Sequence, residues 1–444
     1  MKPAAPTARA AATAALAHAA EQFPNLDPVT PDLAPLDPRD RRLAQAITRA
    51  AIQRWFTLEL LLDSLLRQPM HTLEPALRGL LLGGAAQLLV MDRLPVHAVV
   101  DSTVELAKLT VRQGAAGLVN AVLRKFAQLP VAVRLDQPWK PAADRLPLDG
   151  GCLRLRDPLL PDPQKDLVAY LAMATSHPEH LVRQWVQQQG PEAAAAICEH
   201  GVITPPTVVA VEPGFDIAVA SEDWKPHQTP GFVVWEGGHD ALVSFLQGHA
   251  SRRVQDPAAA IPVQSTAALP LKRIVDYCAG RGTKTRQLAT LHPRARVFAS
   301  DPDPGRYADL EQLGRTLANV TVVPPAQLAQ ALGGEPVDLL LLDVPCSNTA
   351  VLGRRAEARY RYTAKSRRSL IDLQRRIIAD GAALTRPTHV LYATCSLLEQ
   401  ENQEQATWLC ETQAGSRLHE QVTLPAGVGA TFHDGSYHAL VRLG

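Results

Sequence analysis

A chain of 444 residues is longer than one ordinary hydrophobic core sustains, so two or three domains are expected. Its 46% hydrophobic and 20% charged residues describe a globular protein, and a formal net charge of +1 excludes a global pull toward nucleic acid, leaving only local ones. Six cysteines, at 152, 198, 278, 346, 395 and 410, form no C-x-x-C pair and no metal-ligand spacing. That excludes a disulfide scaffold and a metal centre, and it fits free thiols in a reducing, cytoplasmic setting.

Residues 1–130 read as all-helical. ALAHAA, RRLAQAITRAAIQRWFTLELLLDSLL, ALRGLLLGGAAQLLVM, AVVDSTVELAKL and GLVNAVLRKFAQL each repeat apolar residues at helical spacing. Turn-rich stretches separate them, and Asp40, Thr72 and Asp101 stand where N-caps are wanted. The opening MKPAAPTARAAATAALAHAA is Ala-rich and carries Arg9 and His18, so a first helix is expected there and not a targeting segment. The longest apolar run, Gly79 to Met91, is too short to span a bilayer.

Residues 131–172 are dense in Pro and Asp and read as a linker. In 173–240, SHPEHLVRQWVQQQG predicts an amphipathic helix and TPPTVVAVEP reads as a strand. From 241 to 444 strands and helices alternate, the pattern of a Rossmann-like parallel α/β sheet. RIVDYC, RVFAS, NVTVV, VDLLLLD and THVLYAT are the expected strands, and the terminal SYHALVRL a late antiparallel edge strand.

Three loops after these strands carry chemistry. VDLLLLDVPCSNTAVLGRR places Asp343 and Cys346 just past an apolar strand, where open α/β sheets build their sites. THVLYATCSLLEQENQEQ repeats the design with Cys395, ahead of an expected helix start whose dipole would favour a thiolate. DYCAGRGTKT joins a strand end to a helix start through glycines, a loop able to cradle a nucleotide-like ligand. Asp301, closing the next strand, can accept both hydroxyls of a ribose. For a single cysteine burial is the ordinary role, and it is the one expected of Cys278, Cys198 and Cys410.

The residues quoted resemble a known family. PRDRRLAQAITRAAIQRW, the stretch from LEPALRGLLLGG to VELAKL, and GAAGLVNAVLRKF are similar to the NusB-like helical RNA-binding domain. They resemble in particular the version fused to the Sun/RsmB (Fmu) 16S ribosomal RNA cytosine-5 methyltransferases. DYCAGRGTKT resembles that family's S-adenosylmethionine loop, Asp-x-Cys-Ala-(Ala)-Pro-Gly-Gly-Lys-Thr. Cys278, Ala279, Gly282, Lys284 and Thr285 match, while Gly280, Arg281 and Thr283 depart from Ala, Pro and Gly. A Gly-Asp usual after the third strand is replaced by VVPPAQL. DVPCSNTAVLGRR and YATCSLLEQENQEQ resemble the two cysteine motifs. SHPEHLVRQWVQQQG resembles the segment that opens the family's small α+β, RNA-binding subdomain, which the resemblance implies for 173–240.

The resemblance implies a cytoplasmic, monomeric enzyme without metal that uses S-adenosyl-L-methionine to methylate C5 of a cytosine in RNA, small-subunit ribosomal RNA by implication. Cofactor contacts would come from Cys278, Ala279, Gly280, Arg281, Gly282, Thr283, Lys284, Asp301 and Asp343. By the same analogy Cys395 is the nucleophile at C6, Cys346 assists release, and Asp343 meets the cytosine edge. Cys346 as nucleophile, the arrangement of the DNA enzymes, is the competing assignment. Arg354 to Arg376 holds nine Arg or Lys with Tyr360 and Tyr362 interleaved. Arg354, Arg355 and Tyr360 are the expected RNA contacts. The altered loop also allows a second reading, an RNA-binding paralogue impaired in catalysis and acting in ribosome assembly.

Overall fold

The computed structural model describes residues 7–91, 94–111, 114–134, 137–217, 219 and 221–444. The first six residues of the opening segment, and Asp92 and Arg93 ahead of an expected turn, lie outside them. The chain divides into two compact units: Met1–Thr204 with Leu352–Tyr362, and Pro205–Val351 with Thr363–Gly444. Elements are numbered in chain order through both.

In the first unit six helices form the expected bundle: α1 (Ala8–Gln22), α2 (Pro38–Gln53), α3 (Trp55–Asp63), α4 (Pro75–Val90), α5 (Val96–Thr110) and α6 (Ala115–Phe126). The apolar stretch near Gly79 is the core helix α4, buried almost all round, and no described helix is long and apolar enough to cross a membrane. Gly79 lets α1 approach it closely; a Cβ there would stand 2.7 Å from the Ala17 nitrogen. The expected caps are displaced. Asp37, three residues before Asp40, accepts the N–H groups of Arg39 and Asp40. Thr72 ends a 3-10 turn, and Asp101 lies inside α5.

The stretch read as a linker contains a sheet. β1 (Pro130–Arg134), β2 (Arg145–Leu148) and β3 (Gly151–Leu155) pair antiparallel in the order β1-β3-β2. The strands are short and their prolines hid the alternation. α7 (Leu167–Thr175), α8 (Glu179–Gln189) and α9 (Pro191–His200) follow. These helices belong to the first unit, so the segment expected as one subdomain, 173–240, is divided at Thr204.

A later segment returns to this unit with the short helix α15 (Ala358–Arg361). Arg359 is wholly buried there. Its guanidinium donates to the carbonyls of Gln53, Thr175, Ser176, Gly201, Leu352 and Ala356 at 2.6–3.4 Å.

The second unit opens with the antiparallel strands β4 (Thr207–Ala210), β5 (Trp224–Pro226), β6 (Phe232–Trp235) and β7 (Arg253–Val254), in the order β5-β6-β4-β7. α10 (His239–Gln247) and α11 (Pro257–Gln264) accompany them. A seven-stranded sheet then follows: β8 (Arg273–Asp276), β9 (Arg296–Ala299), β10 (Val320–Val322), β11 (Val337–Asp343), β12 (Pro387–Thr394), β13 (Ser416–Thr423) and β14 (Ser436–Arg442). Its helices are α12 (Thr283–Leu291), α13 (Pro304–Gly314), α14 (Leu328–Leu332), α16 (Ala364–Thr385) and α17 (Gln403–Thr412).

The order β10-β9-β8-β11-β12-β14-β13 makes the first five strands parallel. β14 is antiparallel as expected, but β13 covers it, so the edge strand is β13. β11 explains its apolar run. Leu340 and Leu342 face one core layer, Leu339 and Leu341 the other, and all four are fully buried. Truncating any of them would cost about 2–5 kcal/mol. The chain runs outward from β8 to β10 and then returns to β11 on the other side of β8. That reversal creates a crevice at the carboxyl ends of β8 and β11, the usual binding position of such sheets.

Candidate active site

The loops leaving β8, β11 and β12 meet at that crevice, because Asp276 pairs in register with Leu341, and Asp343 with Ala393. Cys346 and Cys395, 49 residues apart in sequence, thereby bring their Sγ atoms to 3.2 Å. Cys346 is buried and Cys395 partly open. The hydrogen bond to Cys395, with burial and the charge on Cys395 adding to it, pushes the Cys346 thiol well above its ordinary pKa. Cys346 is thus held as a proton-bearing thiol, and it is the more deeply buried of the two.

Asn348 sits between the motifs at φ 60, in the left-handed region that asparagine tolerates. Its Nδ2 donates to the Cys346 carbonyl at 3.0 Å, and its Oδ1 accepts from the Cys395 thiol at 3.2 Å. Beneath both cysteines lies the fully buried carboxylate of Glu401. It accepts the N–H and hydroxyl of Ser347, the hydroxyl of Ser396 and the amide of Gln374. Ser347 follows one cysteine and Ser396 the other, so a single acid joins the two loops. Gln374, from α16, also donates to the Pro345 carbonyl. Neither Glu401 nor Asn348 was singled out from the sequence. Glu401 sits in an acidic stretch with nothing to mark its burial, and Asn348 stands in the first cysteine loop with no local signal of its role. The helix start expected behind Cys395 is absent: a 3-10 turn at Glu399–Glu401 intervenes, and α17 begins at Gln403.

Lys284, at the start of α12, forms an ion pair with Asp343, Nζ to Oδ2 at 2.7 Å. Burial alone would lower the ammonium's pKa, but Asp343, aided by Cys395 and Asp276, outweighs it and raises it. The Asp343 side chain remains 34% exposed. Asp276 is buried completely. Its Oδ2 accepts the Thr285 hydroxyl at 2.6 Å, and its Oδ1 has no hydrogen-bond partner. Burial, with the nearby Asp343 and Asp301, pushes its pKa up to about 7 despite the Thr285 bond. Burial and the same carboxylates push the Cys278 thiol far up, which disqualifies it as a nucleophile.

The loop from Cys278 to Lys284 turns on two glycines of positive φ. Gly280 (φ 58) faces open space, and its N–H donates to Asp301 at 2.9 Å. Gly282 (φ 85) is required by close approach, since a Cβ would stand 2.4 Å from Leu313. Ala279 is buried, Arg281 points outward toward Asp309, and Thr283 opens α12. Two of the departures from the family loop, Arg281 and Thr283, therefore fall at exposed positions that tolerate side chains, while the third, Gly280, stands at a left-handed φ that glycine accepts freely. Asp301 is buried beside the glycines and offers carboxylate lone pairs. An orphaned carboxylate oxygen, a glycine cradle and a ribose-type acid form a donor and acceptor set that fits S-adenosylmethionine.

Arg354 and Arg355 are exposed on the first unit. Tyr360 is not available to a base. It is 3% exposed, its ring packs against Phe23 and Phe56 with centroids 5.3 and 5.1 Å away, and its hydroxyl donates to the Ile52 carbonyl. An aromatic in a basic run reads as a stacking platform, but here tertiary partners some 300 positions away claim it. Tyr362 is likewise buried, stacked on His180.

A mostly parallel sheet with a glycine loop after its first strand, an acid after its second and a half-buried ammonium–carboxylate pair at the switch point defines an S-adenosylmethionine-dependent methyltransferase. Residues 267–437 match the family model of the 16S rRNA methyltransferase RsmB/F, and residues 6–128 that of the NusB family. The chain is 31% identical over 405 residues to the ribosomal RNA small subunit methyltransferase B of Xanthomonas campestris, covering 88% of this chain and 85% of that one. To its counterpart in Vibrio cholerae it is 29% identical over 419 residues, 91% and 90% of the two chains. The crystal structure of PH0851 superposes along the full length of both chains with a TM-score of 0.66 at 17% identity, a likeness of fold. The chain belongs to the RsmB/Sun family of ribosomal RNA methyltransferases.

Proposed function

We propose that this enzyme methylates C5 of a cytosine in small-subunit ribosomal RNA through a transient bond between Cys395 and C6 of the base. The observation that carries the reading is the 3.2 Å approach of two thiols of unequal character at the switch-point crevice. C5 of cytosine is too weak a nucleophile to accept a methyl group directly. Addition of a thiolate at C6 makes C5 enamine-like, which is covalent catalysis. When bound, S-adenosylmethionine supplies an electrophilic methyl group; Asp301 and the backbone of Gly280 and Gly282 are the groups that would hold it, with Asp343 and Lys284 at their side.

Cys395, partly open and within the field of the Lys284 ammonium, is the nucleophile. Cys346, kept protonated, assists release by giving its proton to the departing Cys395 sulfur as the C6–S bond breaks and regaining one when the C5 proton leaves. The exposed part of Asp343 accepts the N4–H of the base. Arg354 and Arg355 offer cations to RNA phosphates, and the NusB-like helices provide an RNA-binding surface.

The test is a pair of variants incubated with ribosomal RNA and cofactor. Cys395→Ala should abolish methylation and form no adduct, while Cys346→Ala should leave a denaturant-resistant protein–RNA adduct. An adduct seen only with Cys395→Ala would exchange the two roles. Methyl groups found on N4, with adduct in neither variant, would overturn the covalent mechanism.

A further inference from the structure

A cavity of about 350 Å³ lies in the second unit on the outer side of the glycine loop, between β7, α12 and α13. Arg252, Arg253, Arg281 and Arg286 all line it, with Asp309 and Thr283. Two of the cations are neutralised: Arg252 by Glu212 at 2.6 Å, and Arg281 by Asp309 at 3.4 Å. Among the described residues, the other two meet neutral acceptors. Arg253 donates to the Gln255 side chain and the Ser251 carbonyl, and Arg286 to the Ala250 carbonyl.

Both of these guanidiniums are half-buried, and they repel each other. Burial first, then the charge of Arg286, pushes Arg253 down to about 10. Two like charges drawn partly out of water without a counter-charge are costly unless an anion completes the site. Planar guanidiniums in such a set match the oxygens of a phosphate, which they bind in forked pairs. The two places where this chain puts larger polar side chains into the family's loop, Arg281 and Thr283, both stand on this wall.

We propose that the cavity is a phosphate site, occupied by a backbone phosphodiester of the RNA substrate. The proposal rests on the family's RNA substrate but not on the assignment of the cysteines. It gives Arg253 and Arg286 a role outside the reaction itself: they hold the strand beside the loop. A free phosphate would satisfy the same chemistry, so the test has an arm for each source.

RNA affinity of the full chain is measured by titration across a salt series for wild type, Arg286→Gln and Arg253→Gln, with Arg253→Lys as the charge-preserving variant. Loss of one phosphate contact should reduce the slope of log Kd against log salt by about one and weaken binding several-fold near ~0.1 M salt. Arg253→Lys should retain most of the slope, and kcat at saturating RNA should not change. In parallel, inorganic phosphate is titrated into wild type and Arg286→Gln by thermal unfolding. An unchanged slope and affinity in both glutamine variants would overturn the proposal. So would a phosphate-dependent stabilisation of wild type alone without any effect on RNA binding, since that assigns the site to the free ion. Because the readout is binding and not methyl transfer, an error in the roles of Cys395 and Cys346 would leave this result intact.

Discussion

The carboxylate of Glu401 accepts the backbone N–H of Ser347 at 3.0 Å, across 54 residues of sequence. Through Ser396 it also holds the loop of the second cysteine. The spacing of the reactive sulfurs is therefore set by a group that touches neither.

Glu401→Gln would face four donors with a single acceptor oxygen and bring two donors of its own. Each orphaned buried donor costs about 1–3 kcal/mol. The expected outcome is a lowered midpoint in urea unfolding and a kcat reduced by roughly tenfold or more, as the sulfurs lose their placement. Binding of S-adenosylmethionine, by calorimetry, should change little. Unaltered kcat would separate the Glu401 network from catalysis.

The Lys284 ammonium interacts electrostatically with Cys395. Lys284→Met should slow alkylation of Cys395 by iodoacetamide at pH 7 several-fold, because the thiolate loses its positive neighbour. Peptide mapping by mass spectrometry reads the modified residue. An equal rate in the two proteins would show that the ammonium serves Asp343 alone.

Asp276 gives a pH signature. Its pKa is about 7 in the folded protein against 3.8 for an unperturbed aspartate, so the folded state retains a proton that the unfolded chain releases. Between about pH 4 and 7 stability therefore falls as pH rises, and above that range the loss is complete. Asp276→Asn, which has no such proton to retain, should show a weaker decline over this window. Denaturant unfolding of both proteins at pH 5 and pH 8 measures the difference, and parallel profiles would exclude Asp276 as its source.

Arg359 is the prediction for the first unit. Arg359→Met leaves six carbonyl acceptors without their donor, and a loss of about 3 kcal/mol or more is expected in thermal unfolding. Arg359→Lys should recover little, since an ammonium has three donors and no planar fork. A wild-type transition in either variant would contradict the clamp.

The sequence was most informative where local pattern and tertiary role coincide. β11 and β12 are buried on both faces along most of their length, so the apolar runs Leu339–Leu342 and Val390–Ala393 were enough, and the thiols follow directly because they lie at strand ends. It was least informative where long-range contacts decide. Tyr360 and Arg359 sit in a run of charge that looks solvated, yet Phe23, Phe56 and Gln53 enclose them. β13 was missed because SRLHEQVT is exposed or half-exposed along its length and shows no period. Glu401 looks like one surface acid among several, and only the fold turns it inward.

The return of Leu352–Tyr362 to the first unit bears on how this protein can be divided. Severing the polypeptide between Thr204 and Pro205 would not release two self-sufficient halves. The carboxyl-terminal piece would carry a passenger whose arginine and tyrosines have left their carbonyls and ring partners behind, and the amino-terminal piece would keep the vacated socket. An autonomous catalytic fragment would need that passage replaced by a short polar bridge from Val351 to Thr363.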